Sequence, residues 1–264
     1  EYTFAVAAVL GGARKYTRVC SWEHHHFAAQ QLDGFWKLLF RYAYKRLDAV
    51  VAVNKDEQQY YRSYNKMPLV IPNFVFTPPA MDKDISKDPG YSLLTVTRFN
   101  HIKGIDLLMA AAKIILPQNP QLKWKVIGYG EQKDVFLDFI KKENLSAQLI
   151  YQPADKADLT EDYREVSLFV MTSRNECFPL VLLEAMSNGL PCIAFDCNTG
   201  PRHIIQHDKN GILVKNGDVN ELAAAVSFLV SNKERMEDMR RNALVQAGNF
   251  NPDRIYGMWK QLFS

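Results

Sequence analysis

Leu168–Phe195, LFVMTSRNECFPLVLLEAMSNGLPCIAF, decides the fold of this chain. Leu168 to Met171 is a short apolar run suited to a strand buried on both faces, and Thr172 to Cys177 is the polar turn at its carboxyl end. Pro179 stands where a starting helix tolerates proline, Gly189 where a helix stops, and Pro191 opens a second apolar strand. Strand, helix and strand in this order form the βαβ unit of a parallel sheet. In such sheets ligands bind beyond the carboxyl ends of the strands, and the free N–H groups of a helix N-terminus suit an anion. The loop carrying Glu176 and the helix carrying Glu184 are therefore expected to face a ligand. Glu184 lies in the apolar segment LVLLEAM, and a carboxylate rarely enters such a surface without a partner.

Working outward, ECFPLVLLEAMSNGLPCIAFDCNTGPRHII resembles the E-x7-E region of retaining glycosyltransferases of GT-B architecture, family four of the sugar-nucleotide-dependent enzymes. The continuation DCNTGPRHII and the segment Gly211–Val214, GILV, resemble the bacterial polysaccharide branch that moves hexoses or N-acetylhexosamines. The resemblance implies an α/β fold of two Rossmann-like domains with parallel sheets. The first domain is expected to be only partly present: 1–75 as a partial acceptor-side domain, 76–90 as a linker, 91–247 as the nucleotide-sugar domain, and 248–264 as a helix crossing back to the first.

Composition fits a globular protein, with 264 residues, 47% hydrophobic and 23% charged. A net charge of +3 without a dense Lys/Arg run gives no reason to expect nucleic acid. No apolar run reaches the ~18 residues of a membrane span. The chain begins at Glu1, inside an apparent helix, and reads as a fragment of a longer protein. Cys20, Cys177, Cys192 and Cys197 lack CxxC spacing, and three lie in or beside expected buried strands, which reads as reduced, structural thiols in a cytoplasmic protein.

In the first 75 residues, Glu1–Leu10 reads as a helix stopped by Gly11 and Gly12, Tyr16–Ser21 as a strand, and WEHHHF (Trp22–Phe27) as the loop at its end. Three adjacent histidines on an extended loop diverge, and no cysteine or carboxylate set accompanies them, so no metal is expected. SWEHHHF resembles the family's S-x-E-H loop, which implies that His24, beside Glu23, reaches the donor sugar. Asp33–Leu47 is an amphipathic helix with Phe35, Leu38, Leu39, Tyr42 and Leu47 on one stripe. Its other side carries Trp36, Lys37, Phe40, Arg41, Tyr44 and Lys45, a face for either a further protein layer or the cytoplasmic face of a membrane. Ala49–Val53, Lys55–Tyr64 and Leu69–Ile71 read as strand, helix and strand. Pro72–Gly90 is polar and proline-rich, and its Asp82-Lys83-Asp84 reads as a solvated charge run rather than a metal motif.

The second domain opens with a strand at Tyr91–Val96, a loop TRFNHIKG, and a helix Ile105–Leu116 that ends before Pro117. Arg98 and Lys103, beside a helix N-terminus, suit a diphosphate, and they match the family's R-x4-KG arrangement. Gly128-Tyr129-Gly130, after the strand Leu122–Ile127 and before the helix Glu131–Lys142, resembles the turn at which the nucleotide approaches the backbone. After the strand Leu149–Gln152 the family usually has a glycine, where Pro153 and Ala154 stand here. Thr199-Gly200-Pro201 reads as a tight turn leading to Arg202, HDKNGILV as hairpin-like, and Val219–Ser231, Lys233–Ala247 and Pro252–Phe263 as helices.

The resemblance implies a retaining, metal-independent hexosyltransferase without a cofactor, using a nucleotide-sugar donor, most simply a UDP-sugar, and a saccharide or lipid-linked acceptor. Arg98, Lys103 and the amides near Phe178 to Leu180 would hold the diphosphate end, and Gly128, Cys177 and Pro179 complete the donor-binding set. Glu184 would bind ribose hydroxyls, Glu176 the donor hexose, and His24 the same sugar from the first domain. Two other readings remain open: a nucleotide-sugar binder without transfer, and a GT-B epimerase.

Overall fold

The computed structural model describes residues 2–26, 33–76, 92–156 and 158–264. The expected linker lies almost wholly outside them, including Asp82-Lys83-Asp84. The chain folds as two compact units, Glu1–Asn73 with Asp253–Ser264, and Phe74–Pro252.

The first unit runs α1 (Tyr2–Leu10), β1 (Cys20–Glu23), α2 (Gly34–Tyr44), β2 (Ala49–Ala52), α3 (Lys55–Tyr61) and β3 (Pro68–Val70). Its three strands form a parallel sheet in the order β1-β2-β3, with Cys20 opposite Ala49 and Val50 opposite Pro68. Strand β1 starts at Cys20 rather than Tyr16 and runs through Trp22 and Glu23, which the sequence assigns to the loop. Asp33 caps α2 by accepting from the Trp36 N–H at 2.9 Å, and Asn54 caps α3 by accepting from the Glu57 N–H at 2.8 Å. Ala5 and Val6 of α1 pack with Phe40, Ala43, Tyr44 and Leu47 in a small core. Ile255 and Trp259 of the C-terminal helix, Pro252–Phe263, pack on Val51 and Ile71.

Helix α2 buries only part of the stripe the sequence suggests: Leu39 and Leu47 pack with the small core, while Phe35, Leu38 and Tyr42 are exposed. Phe40 and Tyr44 are 1% and 0% exposed, and their rings stack at 3.7 Å, whereas Phe35 and Leu38 are 65% and 68% exposed. Two apolar arcs run along this helix, and the packing of α1 selects the one through Phe40. Phe40 is therefore a core residue and is removed from any surface contact.

The second unit carries β4 (Ser92–Arg98), α4 (Ile105–Gln118), β5 (Lys123–Tyr129), α5 (Lys133–Lys142), β6 (Leu149–Pro153), α6 (Thr160–Arg164), β7 (Leu168–Met171), β8 (Asn175–Glu176) and α7 (Leu180–Ser187). It continues with β9 (Cys192–Asp196), β10 (Asn198–Thr199), β11 (Gly211–Lys215), α8 (Val219–Ser231) and α9 (Lys233–Gly248) before α10, the C-terminal helix. Six strands make one parallel sheet in the order β11-β9-β7-β4-β5-β6. The chain moves outward from β4 to β6 and then returns to the other side of β4 at β7. The crevice between the carboxyl ends of β4 and β7 is thus the switch point at which open parallel sheets bind ligands.

Leu93, Leu108, Trp124, Leu168, Ile193 and Leu222 are among the residues of the core between sheet and helices. Inside it, Trp124 Nε1–H donates to Thr95 Oγ1 at 3.0 Å, and that hydroxyl donates to the Val170 carbonyl at 2.7 Å. The relay satisfies the polar atoms that β4, β5 and β7 bury together.

Two local expectations change. Helix α4 runs through Pro117 to Gln118. Pro117 withholds a donor only from the Lys113 carbonyl, and the last carbonyls of the helix find side chains: Asn119 Nδ2 donates to Ile115 O at 2.8 Å and Gln148 Nε2 to Leu116 O at 3.2 Å. HDKNGILV is no hairpin, because β11 lies parallel to β9, with Gly211 opposite Cys192. A Cβ on Gly211 would sit 2.3 Å from the Cys192 carbonyl oxygen, so the glycine serves strand approach rather than a hairpin turn.

Candidate functional site

The loop after β4 is built to present Lys103. Asn100 accepts from the Lys103 N–H at 3.0 Å, closing a short 3-10 turn, His101–Lys103. Gly104 follows at φ 68°, where a Cβ would lie 2.1 Å from the Thr172 carbonyl oxygen. The turn is then stitched to the loop after β7. Thr172 Oγ1 donates to Lys103 O at 3.2 Å, Arg174 N–H to Ile102 O at 2.8 Å, and the Arg174 guanidinium grips both oxygens of Asp106 at 2.7 and 2.5 Å. That hydrogen-bonded guanidinium holds the Asp106 carboxyl below its ordinary range.

These ties bring Lys103 Nζ to 2.5 Å from Glu176 Oε1. Glu176 is fixed from its other side by the two-residue parallel ladder of β8 with β10 and by Gly200, whose N–H donates to Glu176 O at 2.9 Å. A Cβ on Gly200 would stand 2.7 Å from Pro179 Cδ and 2.8 Å from Glu176 O, so only glycine fits that approach. Arg202 binds Asp196 at 2.9 Å and closes the turn.

Arg98, Lys103 and Glu176 line one cavity of about 220 Å³ at the carboxyl ends of β4 and β7, with Tyr129, Ser173 and Val181 also in its wall. Two cations and one carboxylate around an open crevice suit a ligand with a diphosphate and neutral hydroxyls. The sequence reading assigns no role to Tyr129, the middle of the Gly128-Tyr129-Gly130 motif, or to Ser173, in the polar turn after β7.

Other expected site residues are placed differently. Cys177, Phe178 and Pro179 are buried, and the Phe178 ring packs 5.7 Å from Phe250. Any contact they make to a ligand comes from the main chain; α7 starts at Leu180, after Pro179 at the N-cap and without a side-chain cap, and Leu180 is 42% exposed. Gly128 lies within β5, paired with Thr97 and Pro153, rather than in a turn. Its missing Cβ makes room for Thr97 O, 2.0 Å from the Cβ position, and for the Phe99 ring at 2.6 Å, which accounts for the glycine by packing.

Glu184 lines a separate depression of about 340 Å³ with Val75, Leu159, Thr160, Tyr163 and Asn188. Tyr163 OH donates to Glu184 Oε2 at 2.8 Å. Burial, then the Glu184 charge, raises the Tyr163 phenol well above its ordinary value, so it stays a donor. Asn188 Nδ2 donates to Glu184 O at 2.9 Å, and its Oδ1 is buried with no hydrogen-bond partner.

His24 belongs to the first unit, where its ring stands 4.3 Å from that of Trp22. Its neighbour Glu23 is fully buried and accepts from the hydroxyls of Ser21, Tyr44 and Tyr61. His26 turns away to Glu57, Nδ1 to Oε1 at 2.5 Å. Among the described residues no three His, Cys, Asp or Glu side chains stand together to hold a metal ion, and no helix is long and apolar enough to cross a membrane. Burial pushes the Cys197 thiol up to about 12 and that of Cys192 higher still, the behaviour of unreactive core thiols.

The family profile described as glycosyl transferases group 1 matches residues 79–246. An uncharacterized glycosyltransferase of Haemophilus influenzae is 24% identical over 244 residues, covering 90% of this chain and 67% of its own length. The amylovoran biosynthesis glycosyltransferase AmsD of Erwinia amylovora is 32% identical over 176 residues, covering 65% of this chain and 48% of its own, so the chain spans about half of that relative. Among solved structures, Anabaena HepE in complex with UDP superposes with a TM-score of 0.88 at 18% identity, over 100% of this chain and 76% of the other. The fold is accordingly the α/β, parallel-sheet fold of GT-B proteins.

Proposed function

The chain belongs to the glycosyl transferases group 1 family, and from that premise we propose that it transfers a hexose or N-acetylhexosamine from a UDP-sugar to a saccharide or lipid-linked saccharide. The observation that carries the reading is the gathering of Arg98, Lys103 and Glu176 in one cavity at the switch point of the sheet. When the glycosyl bond breaks, negative charge grows on the departing diphosphate. Arg98 and Lys103 meet that charge without a metal, and the uncapped start of α7 adds its amides. Glu176 accepts from hydroxyls of the donor sugar and fixes the ring. Glu184, braced by Tyr163 and beside the orphan acceptor of Asn188, takes the ribose hydroxyls. His24 acts on the donor sugar from the first unit, in a retaining, front-face reaction in which the leaving phosphate takes the acceptor proton.

The chain's span of about half of the Erwinia relative favours one second reading, a nucleotide-sugar binder whose transfer needs further chain. Incubation with labelled UDP-glucose, UDP-galactose or UDP-N-acetylglucosamine, with and without a saccharide acceptor, separates the cases. Label moving to the acceptor supports transfer. Donor binding with no turnover supports the binder, and conversion of the donor with nothing added makes the chain an epimerase.

A further inference from the structure

The three consecutive histidines after β1 occupy different environments. His24 is half-buried against the Trp22 ring, His25 is exposed, and His26 is 9% exposed with Nδ1 2.5 Å from Glu57 Oε1. Glu57 is fully buried in the first turn of α3, and the Tyr60 ring, one turn further on, stands 5.8 Å edge-on to the His26 ring. Helix α3 thus takes hold of the chain just beyond His24.

The chain just before His24 is held as well. Glu23 is fully buried and accepts from the hydroxyls of Ser21, Tyr44 and Tyr61. His24 therefore lies between two fastened residues, Glu23 and His26, and a segment this short has little freedom between fixed ends. The Trp22 ring, packed against His24, is itself braced at 5.0 Å by Trp259 of α10. A buried ionisable pair seldom adds stability over an apolar pair of the same volume, whereas its hydrogen bond fixes geometry. We infer that His26 and Glu57 are positioning residues, which hold the chain after β1 so that His24 presents its ring to the donor sugar. That role rests on the contact of His24 with the donor sugar proposed above.

The test is calorimetric titration of UDP, UDP-glucose, UDP-galactose and UDP-N-acetylglucosamine into the whole chain. The ratio of UDP-sugar to UDP affinity reads the sugar contact alone, and a general loss of stability does not move it. His24→Ala should lower the ratio about tenfold, as for the loss of one hydrogen-bonding group. His26→Ala and Glu57→Gln should each lower it about three- to tenfold with UDP itself bound as before, and neither should add to the effect of His24→Ala. His26→Asn, which keeps a donor where Nδ1 stands, should return the ratio to within about twofold of the unaltered chain. Leu47→Ala, in the small core of the same unit, is the control for destabilisation. If His24→Ala lowers the ratio and the folded His26→Ala and Glu57→Gln variants leave it unchanged, or lower it further when combined with His24→Ala, the inference is overturned and the role of His24 stands. An equal fall in Leu47→Ala also overturns it, since the pair would then act through stability. A ratio indifferent to His24→Ala, or no binding of any donor by the folded chain, overturns both the positioning and the role of His24.

Discussion

Lys103 Nζ and Glu176 Oε1 are 2.5 Å apart, so the cation assigned to the diphosphate rests on the carboxylate assigned to the sugar. The pair holds both side chains at the cavity wall, 28% and 11% exposed. A bound donor would draw Lys103 toward phosphate and free Glu176 for hydroxyls. Glu176→Gln should therefore leave UDP binding within about threefold, since the amide still accepts but no longer holds Lys103 by charge. Affinity for the UDP-sugar should fall by about tenfold relative to UDP. Titration of both ligands into the variant checks this.

The depression at Glu184 gives a second, independent prediction. Glu184→Ala should weaken UDP by about tenfold and erase the preference for UDP over its 2′,3′-dideoxy analogue. Equal preference before and after the change would show that the ribose lies elsewhere.

Glycine is required at 200 for its lack of a side chain rather than for its backbone conformation, because its φ of −68° is open to any residue. Gly200→Ala must displace Pro179 or the Glu176 carbonyl, costing about 1–3 kcal/mol of stability in urea unfolding. Donor affinity should fall with it. Gly248→Ala, where nothing lies within 4 Å of the new Cβ, serves as the control.

The two faces of α2 separate energetically. Phe40→Ala should cost about 3–5 kcal/mol, as for other buried aromatic side chains, and Phe35→Ala less than about 0.5 kcal/mol. Thermal or urea denaturation of both variants checks the assignment.

Tyr61 and Tyr163 set an alkaline limit. Burial first, then Glu23 and Glu184 respectively, raise both phenols above the ordinary value near 10. A group whose folded pKa is raised contributes stability that is present below its unfolded value and is lost as pH rises above it. Stability should hold up to about pH 10 and decline beyond it, as the unfolded chain releases these protons. In Tyr61→Phe with Tyr163→Phe that decline should flatten, at a cost in stability near neutral pH.

Much of the second unit is legible in its sequence. Helix α8 spans Val219–Ser231 as its apolar spacing predicts, and Asp218 caps it; in the first unit, α10 likewise spans Pro252–Phe263. The β7–α7–β9 unit follows its proline and glycine punctuation. Arg98, Lys103 and Glu176 line one cavity because the loops that carry them follow β4 and β7, strands whose apolar runs are legible in the sequence. What stayed hidden depends on tertiary contact. Strands β8 and β10 are two residues each, too short for any periodicity, and exist only as each other's partner. Helix α2 has two apolar arcs, and only α1 decides between them. The Asn-Gly pair before Ile212 signals a turn but not that the following strand joins β9 in parallel. Gly128 looks like a ligand glycine until Phe99 is seen in the space of its side chain.

The most direct measurement is calorimetric titration of UDP, GDP and ADP into this chain and into Arg98→Ala with Lys103→Ala. Charged hydrogen bonds to a diphosphate contribute about 1.5–3 kcal/mol each, so the double variant should bind UDP about a hundredfold more weakly or worse, while the unaltered chain prefers UDP. UDP binding of equal strength in the folded double variant would place the diphosphate away from Arg98 and Lys103 and contradict the donor site described for this unit.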